Sequence, residues 1–187
     1  MTSLVDLSVT DRYRSAADGF ARRIAGTTDW DAPTPVAQWR ARDVVGHLTT
    51  WLPALVASGC EVRLDPVPSA EEDPVGAWAG LDGQLRSLLD DPATEEVVFE
   101  HEHIGRMPLP QMLDQFFTSD VVFHTWDLAR ATGQDDPPVG FTSYSDRRDN
   151  EDRLPPRHED HPGSERGKGI QRRVRHRLVQ NSLGDRS

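Results

Sequence analysis

The sequence is poor in cysteine and lysine and has no long apolar run. Cys60 is the only cysteine among the 187 residues, so the chain cannot form an internal disulfide and needs no oxidising compartment. No run of about 18 apolar residues exists, so we expect no membrane-spanning helix. The N-terminus also lacks the basic start and apolar stretch of a secretion signal. These absences predict a soluble, cytoplasmic protein.

Negative charge is concentrated in the first three quarters of the chain. Residues 1–140 contain 10 Arg, no Lys and 23 acidic residues, whereas residues 141–187 contain 11 basic and 8 acidic residues. An acidic body repels phosphate backbones and anionic lipids. We therefore expect neither a nucleic-acid partner nor association with a membrane.

The same change in composition divides the chain into a domain at 1–140 and a C-terminal tail at 141–187. The tail is charged, rich in Pro and Gly and poor in apolar residues, so it buries too little apolar surface to offset the entropy of ordering. We predict a largely disordered tail, and in particular a disordered segment at 141–168. Apolar residues recur every four positions at 170–180, which allows either a short amphipathic helix or a fraying end.

Four segments of the domain show the spacing of apolar residues that predicts amphipathic helices. They cover residues 5–26, 41–58, 71–91 and 109–132. Between the last two, residues 95–108 contain a β-prone run and a glycine, which predicts one short hairpin. Helices joined by such short connections imply an all-α fold, a four-helix bundle.

Three candidate metal ligands lie on the second and fourth predicted helices. Asp120 and His124 are four residues apart, so they project from one helix face, and His47 lies on the apolar stripe of the second helix. A bundle that packs these helices together brings the three side chains to one point. Two His and one carboxylate are common ligands of zinc and related divalent ions, with further coordination positions left open. The pattern therefore predicts a metal site at His47, Asp120 and His124.

Each of these residues also has an ordinary structural interpretation. A single His on an apolar stripe is often a hydrogen-bonded core residue, and an Asp–His pair at this spacing is often a surface pair. Asp127 could share the helix face of Asp120 and His124. We expect Asp127 to orient a ligand, and the alternative is that Asp127 replaces Asp120 as the third ligand.

Other polar residues carry weaker signals. His101 and His103 alternate with glutamates on the extended segment, where they either hold a second metal ion or form a solvated strand face. Cys60 follows the end of a predicted helix, a position that disfavours a thiolate and makes Cys60 a poor nucleophile. The sequence contains neither a Gly-rich phosphate loop nor a serine-nucleophile signature.

Two motifs resemble one known family. The stretches PTPVAQWRARDVVGHL and DVVFHTWDLARATGQ are similar to the DinB-like metal-binding bundles of actinobacteria, in particular the metal-binding domain of mycothiol-dependent maleylpyruvate isomerase. The resemblance covers residues from about 5 to 135. It implies that His47, Asp120 and His124 bind zinc or a related divalent ion, with mycothiol or another small thiol as cosubstrate. The family often has Glu where Asp120 stands, and this chain is too short for the α/β domain that follows the bundle in the isomerase.

Three interpretations of function are compatible with these predictions. The first is a metal- and thiol-dependent S-transferase or isomerase that acts on a small thiol and a small electrophilic substrate. In that enzyme Trp126 would wall the site, and Arg130 would either meet an anionic substrate or form a surface salt bridge. The second is a non-catalytic metal-binding sensor or interaction module, and the third is a damaged, poorly folding remnant. A homodimer is compatible with the first two.

Overall fold

Residues 4–135 are described by a computed structural model, and this part of the chain is mainly helical. Its helices and strands are, in chain order, α1 (Val9–Gly26), α2 (Ala41–Gly59), α3 (Pro74–Asp90), β1 (Val98–His101), β2 (Gly105–Pro108), α4 (Leu109–Met112) and α5 (Ser119–Ala131). A π-helical turn, Leu113–Thr118, joins α4 and α5 into one helical stretch. Short 3-10 turns lie at Leu4–Asp6 and Pro92–Glu96.

The prediction of a mainly helical domain with one short antiparallel hairpin is confirmed. The first helix begins later than expected, because the Ser8 side chain caps it by accepting a hydrogen bond from the Asp11 backbone N–H at 3.1 Å. The π-helical turn inside the last helix was not expected. The predictions for the tail, residues 141–187, lie outside the described residues.

The helices pack in a pattern that places the second beside the last. α1 contacts α3 and α5, and α2 contacts the same two helices, so α1 and α2 lie on a diagonal of the bundle. β1 packs against α2. The contact between α2 and α5 brings together the two helices that carry the predicted metal ligands. Within residues 4–135, no helix has both the length and the apolar character required to cross a bilayer.

A buried polar link joins α1 to α3. The Tyr13 side chain is 1% exposed, and its hydroxyl donates a hydrogen bond to Asp82 Oδ1 at 2.9 Å. Arg86 donates to both oxygens of the same carboxylate, each at 2.9 Å. Burial, and then the negative charge of Asp82, raise the pKa of Tyr13 well above its ordinary value.

A second link ties α1 to the π-helical turn. Arg12 Nη1 lies 2.6 Å from Asp114 Oδ2, and the two side chains are only 17% and 11% exposed. Arg12 also donates to the backbone oxygens of Leu4 and Leu7 at 3.0 and 2.8 Å. The neighbouring Arg14 pairs with an aspartate at the end of α3, but that pair is exposed.

The π-helical turn changes the direction in which α5 presents its side chains. One extra residue in a helical turn rotates all later positions by roughly 100° relative to a regular α-helix. The Ser119 hydroxyl lies within reach of the backbone oxygens of Asp114 and Gln115, at 3.3 and 3.0 Å, where the helix narrows again. Asp120 follows at once, so this turn sets which neighbour Asp120 faces. Such turns are frequent at functional sites.

Candidate metal centre

His47 is the contribution of α2 to the site. Most of the stripe around it is apolar and fully buried, including Val44 and Leu48, and His47 itself is 7% exposed. Its Nε2 atom lies 3.0 Å from Asp120 Oδ2 on α5. His47, which was predicted on the apolar stripe of its helix, therefore contacts the Asp120 carboxylate across the interface between α2 and α5.

Asp120 and His124 are the contribution of α5. They lie one turn apart, with His124 Nε2 3.7 Å from Asp120 Oδ1. The ring centres of His47 and His124 are 4.9 Å apart, with the rings nearly perpendicular. The carboxylate of Asp120 therefore contacts both imidazoles, and one ligand atom from each of the three residues lies within 4.8 Å of the other two.

Asp127 is placed on the opposite side of the His124 ring. Its Oδ2 atom lies 2.8 Å from His124 Nδ1, and both side chains are buried. Because an ionised carboxylate only accepts, this contact puts the imidazole proton on Nδ1. The lone pair of Nε2 is then left for the side that faces Asp120. Asp127 therefore contacts the imidazole that it was predicted to orient, and its role in orienting a metal ligand stays a prediction.

The three residues fit one small divalent ion. Bonds of about 2.0–2.1 Å in a tetrahedral zinc site separate neighbouring ligand atoms by about 3.4 Å. The distances from Asp120 are 3.0 Å from Oδ2 to His47 Nε2 and 3.7 Å from Oδ1 to His124 Nε2, and one ligand atom from each residue lies within 4.8 Å of the others. Two imidazoles and a carboxylate are also the donor set that zinc and its neighbours prefer.

The two histidines differ in how they are held. His124 has Asp127 as a partner on the nitrogen that faces away from Asp120. The corresponding nitrogen of His47, Nδ1, is buried and has no hydrogen-bond partner within residues 4–135. His47 therefore lacks the polar contact that usually fixes a ligand imidazole.

Tryptophan rings take part in the walls of the site. Trp39 is 6% exposed and lies 5.0 Å from the His47 ring and 5.6 Å from the His124 ring, centre to centre. Trp51, one turn after His47 on α2, lies 6.0 Å from its ring. Trp126, the expected wall, is 37% exposed and stacks with Arg130 at 4.7 Å.

The sequence predicted Trp51 on the same buried stripe as His47, since residues four apart share a helix face. It assigned neither Trp51 nor Trp39 to the site. Trp39 precedes α2 in an irregular loop, and no periodicity predicts where such a side chain points.

The other candidates do not form a comparable cluster. The His103 backbone N–H donates to His101 Nδ1 at 3.2 Å at the hairpin turn, and His103 is exposed. In the part of the chain that the structure describes, His47, Asp120 and His124 form the one group of three with the spacing of metal ligands. The Cys60 thiol donates to the Val56 backbone oxygen at 3.3 Å.

Comparison with known proteins yields distant relatives. No family model matches the chain, and no solved structure matches it. Uncharacterized proteins from two Mycobacterium tuberculosis strains, CDC 1551 and H37Rv, are each 27% identical to it over 128 residues. These matches cover 65% of this chain and 66% of each relative, so the chain spans about two thirds of their length.

Proposed function

We propose that the protein binds one divalent metal ion, zinc or a close relative, and uses it in a reaction of a small thiol with a small electrophile. The reaction would be an S-transfer or a thiol-assisted isomerisation. One observation carries the proposal: ligand atoms of His47, Asp120 and His124 lie within 4.8 Å of one another at the interface of α2 and α5.

The environment of the three side chains favours a cation at this point. The Asp120 side chain is 14% exposed, and its two oxygens lie 3.0 and 3.7 Å from the Nε2 atoms of His47 and His124. A divalent ion held between these groups would gain a negatively charged ligand and use the Nε2 lone pair that the Asp127 contact leaves on His124.

The residues around the site suit chemistry on a thiol. A divalent ion held there would lower the pKa of a bound thiol and so supply a thiolate at neutral pH. Asp120 would reduce the net charge of the centre, and Asp127 would keep the proton of His124 on Nδ1 throughout. The rings of Trp39 and Trp51 would shield the sulfur from water. In an addition, the thiol proton would leave to solvent, sulfur would bond to the electrophilic carbon as the π bond there breaks, and the atom that receives the π electrons would take a proton from solvent. In a substitution, the leaving group would depart with the electrons of its bond to that carbon. In an isomerisation, the sulfur–carbon bond would break again and release the thiol.

The sequence motifs support the choice of cosubstrate. The stretch ending at His47 and the stretch containing Asp120 and His124 resemble the DinB-like bundles, and the metal-binding domain of mycothiol-dependent maleylpyruvate isomerase in particular. Both motifs carry residues of the group formed by His47, Asp120 and His124. This resemblance is the ground for proposing mycothiol or another small thiol.

Low exposure of the site favours a second candidate function. The side chains of His47, Asp120 and His124 are 6%, 14% and 10% exposed. A centre so enclosed suits a metal-binding sensor or interaction module, in which the ion stabilises a conformation and no substrate reaches it. The two functions differ in one property: a thiol must reach the ion in the enzyme, whereas it does not in the sensor or interaction module.

Cobalt substitution tests access directly. The Co²⁺-loaded protein is titrated with mycothiol and, separately, with cysteine, and the sulfur-to-cobalt absorption band is recorded. Loss of thiol in the presence of 1-chloro-2,4-dinitrobenzene is then measured, with His124→Ala as the control variant. A new band together with thiol loss that needs His124 is the expected result. Cobalt binding without either response would favour the non-catalytic function, and no cobalt binding would refute both.

A further inference from the structure

Trp39 contacts both site histidines from outside the two helices that carry them. Its ring is stacked on His124 with an interplanar angle of 28° and is tilted by 47° against His47. The two histidines come from α2 and α5, so Trp39 bridges the helix interface on one side of the site. The stacked contact on His124 and the tilted contact on His47 restrict the rotation of the two imidazoles.

The loop before α2 holds the Trp39 backbone firmly. The Thr34 backbone N–H donates to the Trp39 oxygen at 2.9 Å, and the Trp39 N–H donates to the Val36 oxygen at 3.1 Å. Gln38, just before Trp39, has φ of 69°, a left-handed conformation that residues other than glycine adopt at a cost. The surrounding contacts stabilise this conformation, which turns the Trp39 side chain inward.

Charged contacts hold the other side of Trp39. Arg40 Nε lies 3.1 Å from Asp43 Oδ2, and Arg40 Nη2 lies 2.9 Å from Glu71 Oε2. Arg40 thus connects the first turn of α2 to the loop before α3. Because both neighbours of Trp39 are fixed, its ring has little freedom to leave the site.

His47 has the greater need of such a contact. A ligand imidazole is usually oriented by a hydrogen bond on its second nitrogen. His124 has that bond to Asp127, but His47 Nδ1 has no hydrogen-bond partner within residues 4–135. Apart from the contact of its Nε2 atom with Asp120, packing against Trp39 and Trp51 is what restrains the plane of the His47 ring.

We infer that Trp39 is a positioning residue that orders the imidazoles of His47 and His124 and thereby sets the affinity of the site for a divalent cation. The affinity part of this inference rests on the proposed metal function. The ordering of the rings does not, because it follows from the contacts of the Trp39 ring with the two imidazoles alone.

The test uses three variants of the full-length chain. Trp39→Leu removes the aromatic contact, Trp39→Phe retains a smaller ring, and Trp30→Leu makes the same change in the same loop at a residue packed against the core. Zinc affinity is measured by competition with a chromophoric chelator. The imidazole NMR signals of His47 and His124 are measured in metal-free protein, where ring currents of Trp39 shift them.

We expect Trp39→Leu to lower zinc affinity roughly 10-fold or more, the loss typical of removing a group that orients a ligand. Trp39→Phe should retain most of the affinity, and Trp30→Leu should retain all of it. In metal-free protein both imidazole signals should move in Trp39→Leu and stay in place in Trp30→Leu. If Trp39→Leu does not fold, Trp39→Phe still decides, because the smaller ring must move the same signals.

Unchanged imidazole signals in the Trp39 variants would overturn the inference, as would equal losses of affinity in Trp39→Leu and Trp30→Leu. Absence of zinc binding by the wild-type protein would instead refute the proposed function and the affinity part of the inference. The NMR comparison would then still decide whether Trp39 orders the two rings.

Discussion

Removal of the Asp127 carboxylate tests whether Asp127 orients His124 for binding a metal ion. Asp127 Oδ2 accepts from His124 Nδ1 at 2.8 Å, and the two side chains are 13% and 10% exposed. Asp127→Ala removes the acceptor. Asp127→Asn keeps the shape but replaces the charged acceptor with a neutral amide, which can also reverse the positions of proton and lone pair on His124.

The expected size of the effect follows from this one contact. A hydrogen bond to a charged group contributes about 1.5–3 kcal/mol, and a neutral one about 0.5–1.5 kcal/mol. Loss of the charge alone therefore costs about 1–1.5 kcal/mol, or roughly 10-fold in affinity at about 1.4 kcal/mol per tenfold. Loss of the whole contact, in Asp127→Ala, corresponds to roughly 10- to 100-fold.

Zinc affinity of both variants is measured by chelator competition, with the exposed Asp135→Ala as control. We expect the order wild type, Asp127→Asn, Asp127→Ala from tightest to weakest, with Asp135→Ala equal to wild type. Wild-type affinity in Asp127→Ala would refute the orienting role. A complete loss in Asp127→Ala with full binding in Asp120→Asn would show that Asp127 is the third ligand.

Three further predictions concern the site carboxylate and the links that hold the bundle. Asp120→Asn should lower zinc affinity roughly 10-fold or more, whereas Asp120→Glu should be tolerated; chelator competition on the two variants checks both. Tyr13→Phe should lower the free energy of unfolding by about 1–2 kcal/mol, because it removes a buried hydrogen bond to the carboxylate of Asp82. The pKa of Tyr13 is raised in the folded state. Its contribution to the free energy of unfolding is therefore complete below about pH 10 and falls as the pH rises further. Urea unfolding at several alkaline pH values should show this fall in the wild type and a smaller one in Tyr13→Phe. Arg12→Met should destabilise by about 3 kcal/mol, since it removes an ion pair with the largely buried Asp114 and two hydrogen bonds to backbone oxygens. Arg14→Met, which breaks an exposed pair, should cost less than about 1 kcal/mol in the same urea experiment.

The helices and the pairing of Asp120 with His124 could be predicted because both depend on local spacing. Apolar residues at helical intervals mark the stripe of α2 on which His47 lies, and a separation of four residues places two side chains on one face. The contact between α2 and α5 joins distant parts of the chain. It could still be expected, because both helices must bury an apolar stripe in the same small bundle.

The remaining features depend on contacts between distant parts of the chain. Nothing in the spacing around Leu113–Thr118 indicates a π-helical turn, which is supported by an ion pair between Arg12 and Asp114 across 102 positions. The inward direction of Trp39 depends on the conformation of Gln38 and on the anchoring of Arg40. Because these contacts join distant parts of the chain, the sequence places Trp39 between the first two predicted helices but does not place its ring at the site.

Metal content of the purified protein tests the central claim most directly. After incubation with zinc and removal of the excess, we expect about one zinc ion per chain in the wild type by the three-ligand argument. His47→Ala and His124→Ala should each lose most of it while keeping the helical circular-dichroism spectrum. A wild-type protein without bound metal, or full occupancy in either folded variant, would contradict the assignment of His47, Asp120 and His124 as the metal ligands.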